Sequence, residues 1–296
     1  MISRIKSPAK QICIATLCSL FVYSSALASE PMPIKFNFTE KTSSSLAYKV
    51  LELAVGKLDN KYELQGADVV YPNTNAEKAA LAEGKIDIRW GGATKVDDTK
   101  FKNVPFPIDG GLLGYRLFLI DGERQAEFSA IQSLEDLESM IAIQGPGWGD
   151  IGILENAGLT VRTGPYNQLF KMTVGGRADY FPRAAFEAIA EQAANVDDAP
   201  GLAVEKSLIV HYPLTWVYTV SADRKGLYDD IMKGLYEAYD DGSYKKLLLS
   251  DANVKLSLEQ GNLNGRKVIE LPNPNMPEEI KAIPEKYWFK PQNNSW

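Results

Sequence analysis

Four places in the sequence hold residue types that could recognise a small charged molecule. The segment Tyr180-Phe181-Pro182-Arg183 ends in an arginine. A guanidinium is a planar, two-pronged donor suited to a carboxylate or a phosphate. The residue before a proline is confined to extended backbone, which can aim Phe181 and Arg183 out of a strand end. The alternative for Arg183 is an ion pair with Glu187, four residues on and on the same helix face. Arg116 lies within the apolar run 112–120, where strand alternation turns it either into a cleft or toward solvent. The turn Gly145-Pro146-Gly147-Trp148-Gly149-Asp150 precedes a helical pattern, and free N–H groups at such a turn can face an anion. Trp148 within it serves stacking on a ligand or packing equally well. Trp90-Gly91-Gly92-Ala93-Thr94 closes a short strand, the end of an open α/β sheet at which ligands bind. Core packing is the alternative for Trp90.

Catalytic constellations are sparse. His211 is the only histidine, and no Gly-x-Ser-x-Gly segment or other nucleophile accompanies it, so a structural role is expected. The acid pairs Asp97-Asp98, Asp197-Asp198 and Asp240-Asp241 fall in loops or at helix ends and read as solvated surface. Neither a metal nor a cofactor is implied.

These residues need a scaffold. Ile34–Phe38 alternates as a strand, and Leu46, Val50, Leu53 and Ala54 recur at helical spacing. A strand near 62–64 follows, then a helix from about Asn75 to Gly84 and a strand at 86–88. The pattern returns with a strand at 141–143, a helix over 150–157, a strand at 161–163 and a helix over 166–175. Gly84-Lys85-Ile86-Asp87 is echoed by Gly176-Arg177-Ala178-Asp179. Strands alternating with helices on both sides of the echo predict two α/β lobes, each a mixed sheet flanked by helices. The long runs 112–120 and 214–220 are expected to carry the chain out and back as crossing strands. Residues 29–117 plus 217–296 then form a discontinuous first lobe, and 118–216 form the second. The tail from Leu271 is Pro-rich and should be extended, packed by Tyr287, Trp288 and Phe289.

The chain has 296 residues, 45% of them hydrophobic and 24% charged, with a net charge of −6. That composition is globular, and the acidic balance argues against nucleic acid. At the start, Arg4, Lys6 and Lys10 precede an apolar run from Ile12 to Tyr23 and then Ala26-Leu27-Ala28. This is a secretory signal pattern, residues 1–28, with cleavage expected after Ala28. Both cysteines, Cys13 and Cys18, lie within it, so the mature chain has no thiol for catalysis or a disulfide. It would carry 29 basic and 38 acidic residues, a net charge of −9. A periplasmic, soluble monomer is expected.

In order and spacing, these segments resemble the type II periplasmic solute-binding proteins, the group called extracellular solute-binding protein family 3. The marks are Gly84-Lys85-Ile86-Asp87, Trp90-Gly91-Gly92-Ala93-Thr94, Ser133-Leu134-Glu135-Asp136-Leu137, Gln144-Gly145, Gly176-Arg177-Ala178-Asp179 and Asp241-Gly242-Ser243-Tyr244. The resemblance implies a small polar solute, anionic or zwitterionic, held between the lobes and passed to a membrane transporter or sensor. It puts ligand contacts at Trp90, Gly92, Thr94, Arg116, Gly147, Trp148 and Arg183. Amino-acid-binding members place an arginine shortly after the Gly-x-Ser/Thr segment; here 95–100 reads Lys-Val-Asp-Asp-Thr-Lys. They also tend to carry an aspartate after the second Gly-Arg-x-Asp, where this chain has Tyr180–Glu187. The chain therefore resembles a divergent branch. The alternative is a lyase like the periplasmic cyclohexadienyl dehydratases, with Glu187 or His211 as the proton-transferring group.

Overall fold

The structure is a computed structural model that describes residues 30–39 and 42–296. The expected leader, 1–28, lies outside the described residues. The chain first lays down β1 (Met32–Phe36), α1 (Leu46–Gly56), β2 (Tyr62–Gly66), α2 (Thr74–Ala82), β3 (Ile88–Gly92) and β4 (Phe101–Asn103). Strands β1 and β2 pair in parallel, and alternation buries Ile34 and Phe36. Ser45 caps α1 by accepting from the Tyr48 N–H at 3.2 Å. Leu46, Val50 and Ala54 then line the buried face of that helix.

The next elements are β5 (Tyr115–Asp121), α3 (Gln125–Ser129), β6 (Ile141–Gln144), α4 (Ile151–Asn156), β7 (Thr160–Thr163), α5 (Tyr166–Val174), β8 (Tyr180–Ala184), α6 (Ala185–Asn195), β9 (Leu202–Val204) and β10 (Leu208–His211). After them come β11 (Trp216–Ser221), α7 (Lys225–Asp240), α8 (Ser243–Ser250), α9 (Ala252–Gln260), β12 (Lys267–Glu270) and α10 (Glu278–Lys281). A mixed sheet runs β12-β10-β5-β8-β6-β7, with β9 also on β5, and a smaller antiparallel sheet runs β3-β11-β4. Every residue of β8 is buried, on both faces of the strand, because helices cover each side of that sheet.

The sequence echo has a structural cause. After each helix a glycine turns left-handed, Gly84 at φ 67° and Gly176 at φ 70°. Asp87 then donates its N–H to the Lys35 carbonyl at 2.7 Å, and its carboxylate accepts the Lys35 N–H at 2.8 Å. Asp179 repeats the arrangement on Ile141, at 2.8 Å and 2.6 Å. An arginine holds each carboxylate, Arg224 on Asp87 at 2.8 Å and Arg124 on Asp179 at 2.7 Å. Each lobe thus pins the edge of one strand to its neighbour with the same two-bond device.

Two expectations change in detail. The crossing runs do not each span both lobes. Strand β5 belongs wholly to the large sheet and β11 wholly to the small one, so the crossings fall in 104–114 and 212–215. The stretch 217–296, expected to close the first lobe, sends α9 against α6 and pairs β12 in parallel with β10. Val268 and Ile269 make that four-residue strand a suitable edge for the large sheet. The tail then returns: Tyr287 packs 4.5 Å from Tyr239 and 5.5 Å from Phe106, and Trp296 lies 5.6 Å from Tyr244. No helix among the described residues is long and apolar enough to cross a membrane.

Candidate ligand cleft

A cavity of about 270 Å³ lies between the two lobes. All seven residues singled out from sequence line it: Trp90, Gly92, Thr94, Arg116, Gly147, Trp148 and Arg183. The first three come from the end of β3 and the segment after it, Arg116 from β5, Gly147 and Trp148 from the turn before α4, and Arg183 from β8. The turn reaches across to the first lobe. A Cβ on Gly147 would lie 2.6 Å from the Asn75 side-chain oxygen, and at φ 80° any side chain would strain the backbone, so glycine is favoured there.

The two arginines of the second lobe are already engaged. Arg183 is buried, and its fork grips Glu191 through Nε at 2.5 Å and Nη2 at 2.7 Å. Its Nη2 also lies 2.9 Å from Glu187. Burial alone would lower the Arg183 pKa; Glu187 and Glu191 outweigh it and raise it. The guanidinium sits 4.7 Å from the Trp148 ring centre and 5.0 Å from that of Phe181, so Trp148 packs on this arginine while also facing the cavity. The ion pair with Glu187 is therefore present, but inside the protein and shared with Glu191 rather than on an exposed helix face.

Arg116 is turned inward and is 3% exposed. Its Nη2 donates to Asp150 at 2.8 Å, and its Nε and Nη1 have no acceptor. The same Asp150 oxygen accepts from Gln144 Nε2 at 2.8 Å and from the Tyr212 hydroxyl at 3.1 Å. Asp150 thus acts through its carboxylate, a role the turn's backbone did not suggest. Burial raises the Glu187 pKa against the opposing pull of Arg183; this carboxyl accepts the Ala184 N–H at 3.2 Å.

On the first lobe, the sequence pattern did not single out the arginine that lines the cavity. The expected clamp after Gly92 is absent, but Arg89, three residues before it, lines the cavity at 6% exposure. Its Nε has no hydrogen-bond acceptor, and Glu77 lies 3.6 Å away. Burial lowers the Arg89 pKa despite Glu77. Lys78 also lines the cavity, and its pKa is lowered by burial and then by Arg89. The one available signal was a charged residue inside the apolar strand Ile88-Arg89-Trp90 next to two glycines. Trp90 itself packs 6.0 Å from Phe36 and 6.5 Å from Tyr218, so it joins the core on one side and the cavity on the other. Trp216, Leu113 and Leu214 complete the apolar walls.

His211 lies elsewhere. It stacks on Tyr115 at 4.2 Å, pairs with Glu270 at 2.6 Å, and borders a different cavity of about 380 Å³ with Met276, Ile280 and Trp288. Among the described residues no group of acids and histidines could hold a metal ion.

No protein-family model and no curated protein sequence matches the chain. Solved structures do. The GluR0 ligand-binding core from Nostoc punctiforme in complex with L-glutamate aligns over 75% of this chain and 100% of its own, with TM-score 0.54 and 13% identity. A Streptococcus mutans structure, described as the basis of glutathione import via GshT and the cystine ABC importer TcyBC, aligns over 74% and 94%, with TM-score 0.54 and 15% identity. An ancestral amino acid-binding protein, a precursor of cyclohexadienyl dehydratase, aligns over 74% and 93%, with TM-score 0.52 and 16% identity. The fold is that of the two-lobed type II solute-binding proteins.

Proposed function

We propose that the chain is an exported solute-binding protein that captures a small polar solute, anionic or zwitterionic, between its lobes and presents it to a membrane importer or sensor. The supporting observation is the cleft's charge arrangement. On the first lobe, Lys78 and Arg89 face only Glu77; on the second, Arg116 and Arg183 face Asp150, Glu187 and Glu191. Positive and negative excesses thus meet across a cavity walled by tryptophans, which suits a charged solute enclosed by hinge closure. The leader pattern supports export to the periplasm, and the protein acts there as a monomer without a cofactor. The discontinuous assignment of 29–117 plus 217–296 and of 118–216 describes the two closing bodies, with 115–117 and 252–271 carried by the second and Trp216 by the first.

Native mass spectrometry of protein isolated from its own periplasm should show one small solute bound, and the mature chain should begin at Ser29. Small-angle scattering should give a smaller radius of gyration with that solute than without it. A bound solute that leaves compactness unchanged would sink the hinge-closure reading.

One observation favours a lyase as the second reading: Glu187 is a cavity-lining carboxyl whose pKa burial raises, the property of a cleft acid. Turnover of a cyclohexadienyl substrate by wild type, abolished in Glu187→Gln, would establish it. Tight binding of a solute recovered chemically unchanged would exclude it.

A further inference from the structure

We propose that the solute is a linear, charge-separated zwitterion, an ω-amino carboxylate with a spine of several carbons, its ammonium at Glu187 and its carboxylate between Lys78 and Arg89. This rests on the capture reading above and specifies the ligand of the same cleft.

The cationic end is assigned by the second lobe. Asp150 is answered by Arg116 at 2.8 Å. Arg183 gives both bonds of its fork to Glu191 and only a third contact to Glu187. Two arginines thus stand against three carboxylates. Of these, Asp150 and Glu187 line the cavity, and since Asp150 already holds Arg116, Gln144 and Tyr212, Glu187 is the one left for a ligand. An ammonium there would complete the cluster, and the raised Glu187 pKa marks the cost of leaving it incomplete.

The anionic end is assigned by the first lobe. Lys78 has no hydrogen bond or ion pair among the described residues, and Arg89 keeps its Nε without an acceptor while nine-tenths buried. Burial lowers the pKa of each, and Arg89 lowers that of Lys78 further, so an anion between them relieves both. Gly91 makes the room: a Cβ there would lie 2.7 Å from Arg89 Nη2.

The length is assigned by the walls. Trp90, Trp216, Leu113 and Leu214 line the cavity along with the two charged clusters. That apolar lining suits a hydrocarbon spine and not an α-amino acid, whose charges share one carbon. A second chamber of about 190 Å³ shares Lys78, Arg89 and Thr94 with the main cavity and adds Lys95, Val96 and Phe101. Asp97 is its one acid, already held by the Thr99 hydroxyl at 2.6 Å. Added chain length therefore moves the carboxylate toward further positive charge.

Calorimetric titration with 4-aminobutanoate, 6-aminohexanoate and 8-aminooctanoate tests this, with L-alanine, hexanoate and hexylamine as controls. At least one of the two longer zwitterions should bind about tenfold or more tightly than L-alanine and both single-charge controls, as expected for two charge-assisted contacts against one. Lys78→Ala, on a solvated helix, should weaken the zwitterions and hexanoate but not hexylamine. Glu187→Gln should weaken the zwitterions and hexylamine but not hexanoate. Val96→Trp should narrow the annex and penalise 8-aminooctanoate more than 4-aminobutanoate. L-alanine binding tighter than every ω-amino acid, no binding by any of them, or unchanged affinity in Lys78→Ala would overturn the proposal. If a solute co-purifies and closes the lobes while these probes fail, the capture reading stands and only the charge-separated ligand is lost.

Discussion

Arg183→Ala is expected to destabilise the protein by about 3–5 kcal/mol, the usual cost of stranding a buried charge partner. The substitution leaves Glu187 and Glu191 facing each other inside the second lobe without their ion-pair partner, only the pull of Arg116 on Glu187 remaining, and it removes the cation from the faces of Trp148 and Phe181. The loss carries a pH signature. The Glu187 pKa is already raised in the folded protein, and Arg183 is the largest influence lowering it, so the variant raises it further. A carboxyl whose folded pKa lies above its unfolded one favours folding when protonated; that contribution is present at acid pH and fades as pH climbs through the folded pKa. The deficit of Arg183→Ala should therefore shrink on going from pH 8 toward pH 5. Adding Glu191→Gln should recover part of it. Urea melts at both pH values decide the matter: a deficit under about 1 kcal/mol, equal at the two, would mean that the cluster behaves as a solvated surface pair.

The second large effect is at Asp109, fully buried where the crossing segments meet. Its carboxylate accepts the Leu113 N–H at 2.5 Å, the Trp216 N–H at 2.9 Å and the Thr215 hydroxyl. One side chain thus ties the outgoing crossing to the returning one. Burial raises its pKa even against those three bonds. Asp109→Ala strands three donors at about 1–3 kcal/mol each, so a loss above about 3 kcal/mol is expected. Asp109→Asn keeps one acceptor oxygen and should lose less. Because the tie joins the two crossing segments, scattering from Asp109→Asn should also show a wider spread of lobe separations than wild type. Stability within about 1 kcal/mol of wild type in both variants would show that the crossings do not depend on it.

The lobe pattern and the candidate cleft were legible because they rest on local chemistry. Strand alternation, helical spacing and glycine-rich turns are short-range signals, and a turn that needs a left-handed glycine announces itself. What escaped depends on distant partners. Pairing Arg183 with Glu187 by the i, i+4 rule assumes one helix, but Arg183 belongs to β8 and α6 begins at Ala185. A strand arginine at the helix entrance reaches both Glu187 and Glu191, which share one face of α6. Arg89 escaped because strand residues are read as inward apolar or outward polar. Nothing local says that Glu77 and a side-chain-free Gly91 make an inward cation tolerable. Strand β12 escaped because four residues just ahead of the proline-rich tail carry almost no periodicity; its place is set by β10, nearly sixty residues earlier in the chain.

The wandering of the C-terminal segment has a mechanical consequence. The chain passes between lobes at 104–114 and 212–215, again where α8 gives way to α9, and once more after β12. Lys49 of α1 also grips Asp251 at that third passage, at 2.9 Å. Each lobe therefore completes its core with residues that arrive only through the other, and neither is an autonomous folding unit. Heat should melt the pair in a single calorimetric transition whose van't Hoff and calorimetric enthalpies agree, and a chain cut after Ser250 should lose order in both halves.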